Sequence, residues 1–367
     1  MNAKQVDKIL LTIILILLAV GLIMISSAGV IYSETRFADS YYFFKHQLIY
    51  GVLPGLLALY AFSKLDYRFW KKVAVPLFFV SVIFLLLVFV PGIGSRIYGA
   101  SRWIQLGPFS FQPSEMAKLS IIIYLAAWLE SRGMQRIKDV FEGLLPFLGI
   151  MGLIGFLIIK QPDTGTLGVI VISSFAIFFI SGAKIKHLAS LGMVGVLMLW
   201  ILIKIEPYRL DRISAFLDPG ADPQGIGYQI NQALLAVGSG GLFGVGLGHS
   251  RQKFNYLPEP VGDSIFAVIG EELGLIGASI LVILFVALAM RGMKIAKNSP
   301  DMFGKLLASG ITVWVVAQAF INISANIALV PLTGIPLPFI SYGGTSLVFL
   351  MAAMGILLNI SKHADMT

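Results

Sequence analysis

The chain has 367 residues, 57% of them hydrophobic and only 13% charged, with a mean hydropathy of +0.87. Soluble domains carry nearer one quarter charged residues, so this composition excludes a water-solvated globule and reads as a polytopic membrane protein. The formal charge of +8 would suit nucleic acid, but Lys and Arg gather in short loops between apolar runs, the mark of membrane orientation. No nucleic-acid partner is expected. The absence of cysteine excludes disulfides, thiol catalysis, zinc–thiolate sites and S-acylation, while leaving the compartment open.

A membrane span needs about 20 mainly apolar residues. The first candidate, near 9–31, follows Lys4 and Lys8 and reaches Ser26, Ser27 and Ala28, a superficial likeness to a signal peptide. Its apolar run from Ile9 to Ile25 is long for a signal core of roughly 7–15 residues, so it reads as an uncleaved first helix. Further spans are predicted near 46–62, 73–91, 113–130, 143–160, 166–182, 187–205, 264–290, 305–330 and 342–361. The expected fold is an all-α membrane protein of ten transmembrane helices, one polytopic domain over 1–367 without internal repeats. An even number of spans puts both termini on one side. Lys64, Arg68, Lys71, Lys72, Arg132, Arg136, Lys138, Lys184, Lys186, Arg291, Lys294 and Lys297 fall on that side, which the positive-inside rule makes the cytoplasm. The large loop of about 206–262, between the seventh and eighth helices, is then extracytoplasmic.

Between the third and fourth spans, Arg102 beside Trp103 reads as an interfacial anchor or, on the outer face, a phosphate contact. Pro113 suits a first helical turn. Glu115 and Lys118 share one helical face and can pair. A lysine one turn inside a span is either paired or lines a wet cavity, and the residues leave both open. Asp163 or Thr164 in the Gln161–Thr166 turn suits a helix cap. Asn322, Ser324 and Asn326 are placed to bond neighbouring helices. Residues 330–346, with three prolines and three glycines, must pack on protein or line a cavity.

The long polar segment 206–274 concentrates the chemistry. Arg209 and Arg212 suit a grip on phosphate or carboxylate, or pairing with Asp211, Asp218 or headgroups. Lys253, with Arg251 and Gln252, adds a second basic site, and two basic clusters suit a diphosphate. The glycines at 238, 240, 241, 244, 246 and 248 match no nucleotide fingerprint and read as tight turns and close helix approach. Asp218 and Asp222 can bind a divalent ion or simply make Asp-Pro turns. Asp263, at the membrane surface, can be a general base with a raised pKa or an N-cap. On a continuous helix Glu271 would lie about 80° round from Asp263 and could back it, while Glu272 would face away and pair with a buried cation.

Taken in order, GASRWIQLGPFSFQPSEMAKLS, QPDTGT, EPYRLDRISAFLDP, GSGGLFGVGLGHSRQKFNYLPE, GEELG and PLPFISYGG resemble the SEDS family (shape, elongation, division and sporulation) over nearly the whole chain. Within it, EPYR with its second arginine and Ser250–Lys253 leading into YLPE look closer to the division member than to the elongation member. The resemblance implies an inverting peptidoglycan glycosyltransferase polymerising lipid II at the outer face of the cytoplasmic (inner) membrane. It places the key aspartate on Asp263, just after Glu259 of the LPE motif, and the basic residue of the fourth span on Lys118. Gly262 and Ser264 depart from the family's usual threonine and phenylalanine beside that aspartate. Arg209, Arg212, Lys118, Lys253, Arg102, Glu115, Glu259 and Glu271 are the substrate-binding candidates. A divalent cation (Mg or Mn) can help meet the leaving diphosphate. The implied partners are lipid II, a class B penicillin-binding protein, other divisome or elongasome membrane proteins and membrane lipids. A lipid II flippase, a non-catalytic scaffold and an ion-coupled transporter are the competing readings.

Overall fold

The computed structural model describes residues 5–97, 100–106, 109–205, 207–220, 222 and 224–365. The chain is a bundle of helices: α1 (Lys8–Phe37), α2 (Tyr42–Gln47), α3 (Leu53–Lys64), α4 (Arg68–Leu87), α5 (Pro113–Ile137), α6 (Leu145–Lys160), α7 (Thr164–Ile180) and α8 (Ile185–Ile205). There follow α9 (Pro207–Leu217), α10 (Ile226–Ser239), α11 (Ile265–Lys297), α12 (Met302–Asn326) and α13 (Gly344–His363). A π turn at Leu48–Val52 joins α2 to α3, and another at Val140–Leu144 leads into α6. Each predicted apolar segment is helical. Among the described residues, seven helices are long and apolar enough to cross a membrane, and Thr164–Ile180 and Ile185–Met198 are shorter apolar helices. The fourth expected span, α5, is set apart by its charges, Glu115, Lys118, Glu130, Arg132 and Arg136.

The apolar windows of α12 and α13 are each 72% buried, against 28% for α4 and α11, so α12 and α13 form the centre and the others present flanks to lipid. α1 belongs to this bundle: Leu10, Ile14, Leu17 and Ala28 have no exposed surface. Asp7 caps α1 by accepting from the Leu10 N–H, and its own N–H donates to Ser361 Oγ at 3.0 Å, so the two ends of the chain meet. The same end of the bundle holds the ion pairs Asp7–Arg291 (2.6 Å), Arg68–Asp301 (3.2 Å) and Lys71–Glu130 (2.6 Å).

Three features lie outside the predicted architecture. A small antiparallel sheet, β1 (Gly94–Ile97), β2 (Ala100–Leu106) and β3 (Phe109–Phe111) in the order β1-β2-β3, fills the link between α4 and α5. The 206–262 loop carries α9 and α10, which pack Ala215 and Ile230 against Ala325 and Leu332 over the end of α12. Third, α11 is broken at Gly274 (φ 65°, ψ −167°). There the segment after α10 replaces the missing helical bonds. Val245 and Gly246 N–H donate to the carbonyls of Glu271 and Glu272 (3.0 and 3.1 Å), and Leu275 and Ile276 N–H donate to Gly241 and Leu242 (2.9 and 3.2 Å). Irregular backbone inside a span is tolerated only when protein satisfies it. Gly244 (φ 81°) is required here, because a Cβ would sit 2.1 Å from the Glu272 carbonyl oxygen. The glycine cluster serves close approach, as expected.

Candidate active site

The segment Glu259–Ser264 is held from several sides. Val261 O accepts from Tyr342 N–H (2.8 Å), Gly262 O from Ser341 Oγ (2.7 Å), and Asp263 O from both Asn322 and Asn326 Nδ2 (2.8 Å each). Gln229 of α10 donates to Ser264 Oγ at 3.1 Å, and Tyr32 of α1 donates to Glu259 Oε1 at 2.9 Å. The N-cap of α11 is Ser264, and no side chain caps that helix. Asp263 is therefore not a cap. Its Oδ1 is buried without a hydrogen-bond partner among the described residues. Burial, followed by the Glu259 carboxylate, pushes Asp263 up to about 6, while its own backbone N–H, then Arg212 and Gln229, pull the other way. Arg212 donates Nη1 to Leu332 O at 3.0 Å. A half-open carboxylate with that pKa and a cation beside it is equipped to take a proton from a hydroxyl at neutral pH. The departures at Gly262 and Ser264 leave the segment intact: a Cβ on Gly262 would meet its nearest atoms at an ordinary 3.5 Å.

The other candidate residues fall elsewhere. Glu272 pairs with Lys253 Nζ (2.9 Å) and accepts from Ser27 Oγ of α1, so it does find its buried cation. Lys253 is only 4% exposed, and its ammonium is engaged by that pair and Ser27. An open cavity of about 380 Å³ borders it, lined by Ser26, Ser27, Val30, Leu247 and Phe254 among others. Glu271 does not back Asp263. Its carboxylate accepts from Ser250 Oγ and the N–H of Arg251 and Gln252, clamping the preceding loop. The helical angle misled because Asp263 lies before the helix and does not share its 100° step.

Lys118 makes the pair with Glu115 that its spacing allows. Its ammonium is buried between Glu115 Oε1 (2.9 Å) and Gln318 Oε1 (2.8 Å), over the Trp314 ring at 5.1 Å, while Glu115 Oε2 has no hydrogen-bond partner among the described residues. Arg102 Nε donates to Gln161 O (3.0 Å) and its Nη2 to Pro162 O, so it braces β2 against the α6–α7 turn. Asp163 caps α7 through Thr166 N–H and also accepts from Ser114 Oγ. Asp218 and Asp222 make turns, accepting from Gly220 N–H and from Gly225 and Ile226 N–H. Arg209 is buried on α9, one turn from Arg212. Of the candidates, the fold thus brings together Asp263, Glu259 and Arg212. Tyr32, Gln229 and Ser341 were missed; each is a lone polar residue whose partner is remote in sequence.

Comparison with known proteins supports one grouping. The FtsW/RodA/SpoVE family model, described as "Cell cycle protein", matches residues 7–366. The chain is 43% identical to "Stage V sporulation protein E" of Bacillus subtilis (strain 168), covering 98% of this chain and 97% of that protein. It is 40% identical to "Probable peptidoglycan glycosyltransferase FtsW" of Geobacter sp. (strain M18), covering 97% of each. Among solved structures, one chain described under "Structural coordination of polymerization and crosslinking by a peptidoglycan synthase complex" superposes with a TM-score of 0.81. The identity is 28%, covering 98% of this chain and 99% of that one. The rod shape determining protein RodA of Thermus thermophilus superposes with a TM-score of 0.71, also at 28% identity, covering 98% of each chain.

Proposed function

The chain belongs to the FtsW/RodA/SpoVE family, and we propose that within it this protein is a peptidoglycan glycosyltransferase whose base is Asp263. The protein polymerises lipid II into glycan strands at the outer face of the cytoplasmic membrane, for septal wall synthesis. One observation carries this reading. The backbone around Asp263 is fixed by α12 and by the 341–342 turn, while its carboxylate does not cap α11 and is raised to about 6. The division branch is favoured by the FtsW proteins that share 40% and 42% identity with this chain. Ten spans with both termini cytoplasmic fit the meeting of Asp7 with Ser361 and the basic loops at that end.

In the reaction, the acceptor sugar's 4-hydroxyl gives its proton to Asp263 and attacks the donor's anomeric carbon. The new C–O bond forms as the bond to the diphosphate breaks, with inversion, and the polyprenyl diphosphate leaves with the electron pair. Arg212 is the basic group beside Asp263 to meet that charge, with Arg209 on the same helix. Among the described residues no three His, Cys, Asp or Glu gather. Glu259 beside the base fits a Mg²⁺ or Mn²⁺ that takes most of its ligands from substrate phosphate and water. Such an ion would neutralise charge on the leaving group. By likeness to the synthase complex, the partner is a crosslinking class B penicillin-binding protein, within the wider division machinery.

The test is polymerisation of labelled lipid II by the purified protein with its cognate transpeptidase and divalent ion, with Asp263→Asn beside it. Glycan ladders from wild type alone are expected. Ladders from both would remove Asp263 from the chemistry. Transbilayer movement of lipid II without any ladder would replace the enzyme by a flippase.

A further inference from the structure

Three amides lie at i, i+4 and i+8 along α12, one of the two helices at the centre of the bundle: Gln318, Asn322 and Asn326, each 2% exposed. Polar side chains inside a span are expensive unless they are bonded, and these are bonded to the backbone of the active-site wall. Gln318 Nε2 donates to Pro336 O (2.9 Å), and Asn322 Nδ2 to Ile335 O (2.9 Å) and Asp263 O (2.8 Å). Asn326 Nδ2 donates to Asp263 O (2.8 Å) and to Asn322 O (3.0 Å). The Asp263 carbonyl lies outside the α11 ladder, because the Ala267 N–H that would reach it in a helix goes to Ser264 O (3.0 Å). Two side-chain amides therefore converge on one carbonyl, that of the proposed base.

We propose that Asn322 and Asn326 are positioning residues for Asp263. They act through its carbonyl, fixing the peptide from which the carboxylate projects. Neither side chain bonds that carboxylate, so neither tunes it directly. Between them they anchor Asp263 and Ile335 to one helix. Geometry of this kind matters because a misplacement of about 1 Å can cost on the order of 100-fold in rate. The proposal rests on the glycosyltransferase reading.

The experiment measures kcat and KM for lipid II polymerisation by the full chain with its partner, in Asn322→Leu, Asn326→Leu, the double variant, and Asn322→Gln and Asn326→Gln. Thermal unfolding in detergent is followed alongside. Leucine keeps asparagine's branching at Cγ, with more bulk, but has no donor; glutamine keeps the donor. Each leucine variant is expected to lose about 10-fold or more in kcat with KM within about two-fold, and the double variant on the order of 100-fold. The corresponding glutamine should recover most of the loss. Asn326→Leu, at the helix end, keeps the test open if Asn322→Leu does not fold. Wild-type kcat in a folded leucine variant would overturn the proposal, as would a loss that glutamine fails to recover and that tracks the fall in melting temperature. No ladder from wild type would instead overturn the glycosyltransferase reading itself.

Discussion

Asp263→Asn should remove activity and stabilise the protein, and the second effect has a defined pH signature. The Asp263 carboxyl titrates at about 6 against an ordinary 3.8, a rise of about 2 units. At about 1.36 kcal/mol per unit, ionising it in the folded state costs about 3 kcal/mol relative to the unfolded chain. The sign runs against the usual aspartate. Below about pH 4 both states are protonated and the residue contributes nothing. Between about 4 and 6 the unfolded chain loses its proton first and stability falls; above 6 the full cost is present. Asparagine, nearly isosteric and uncharged, escapes that cost, so the variant should match wild type at pH 4 and exceed it by up to about 3 kcal/mol at pH 8. Polymerisation should drop by roughly 10²–10⁴-fold, the range of a general base. Thermal unfolding of detergent-purified protein across pH 4–8, with lipid II polymerisation at pH 7.5, measures both. Equal stability differences at pH 4 and 8 would refute the raised pKa; a stable variant with full activity would refute the base.

Wild-type kcat/KM should fall off on the acid side with an apparent pKa near 6, and Glu259→Gln should move that limb to lower pH, because it removes a neighbouring negative charge that raises Asp263. A limb that stays put in a pH–rate profile would exclude Glu259 as a cause. Lys253→Met should cost about 3–5 kcal/mol, since it strands Glu272 as a buried charge, and adding Glu272→Leu should recover much of it. Equal melting temperatures for single and double variants would count against that. Gly244→Ala places a Cβ 2.1 Å from the Glu272 carbonyl oxygen and should abolish monodisperse protein on size exclusion, whereas Gly241→Ala, with φ 54° and open space around it, should cost only about 1–2 kcal/mol.

The helices were legible because lipid permits little else: a run such as Ile9–Ile25 has no other way to satisfy its backbone. Asp163 as a cap and Glu272 as a paired carboxylate were legible for similar reasons, each having few acceptable fates. The basic candidates were less so. Arg102 and Lys253 announce charge but not partner, and each is bonded to groups on other elements; for Lys118 the pair with Glu115 was legible but the bond to Gln318 was not. Sequence distance hid the rest: Asn322 and Asn326 reach Asp263 across 59 and 63 residues. The sheet β1–β3 was missed because its strands of four, seven and three residues leave little alternation to read.

How Asp263 stays basic follows from which residue begins α11. An aspartate that capped the helix would accept from its free N–H groups, and such bonds hold a carboxylate well below its ordinary range. It would be ionised but too weak a base for a sugar hydroxyl. Here Ser264 takes the cap position and bonds Gln229, while Asp263 sits one residue earlier and its carbonyl is held by Asn322 and Asn326. The peptide gains the rigidity that a cap would give without handing the carboxylate the donors that a cap would supply. Placing the helix start one residue past the aspartate therefore separates position from acidity, and a base set at the membrane surface needs both.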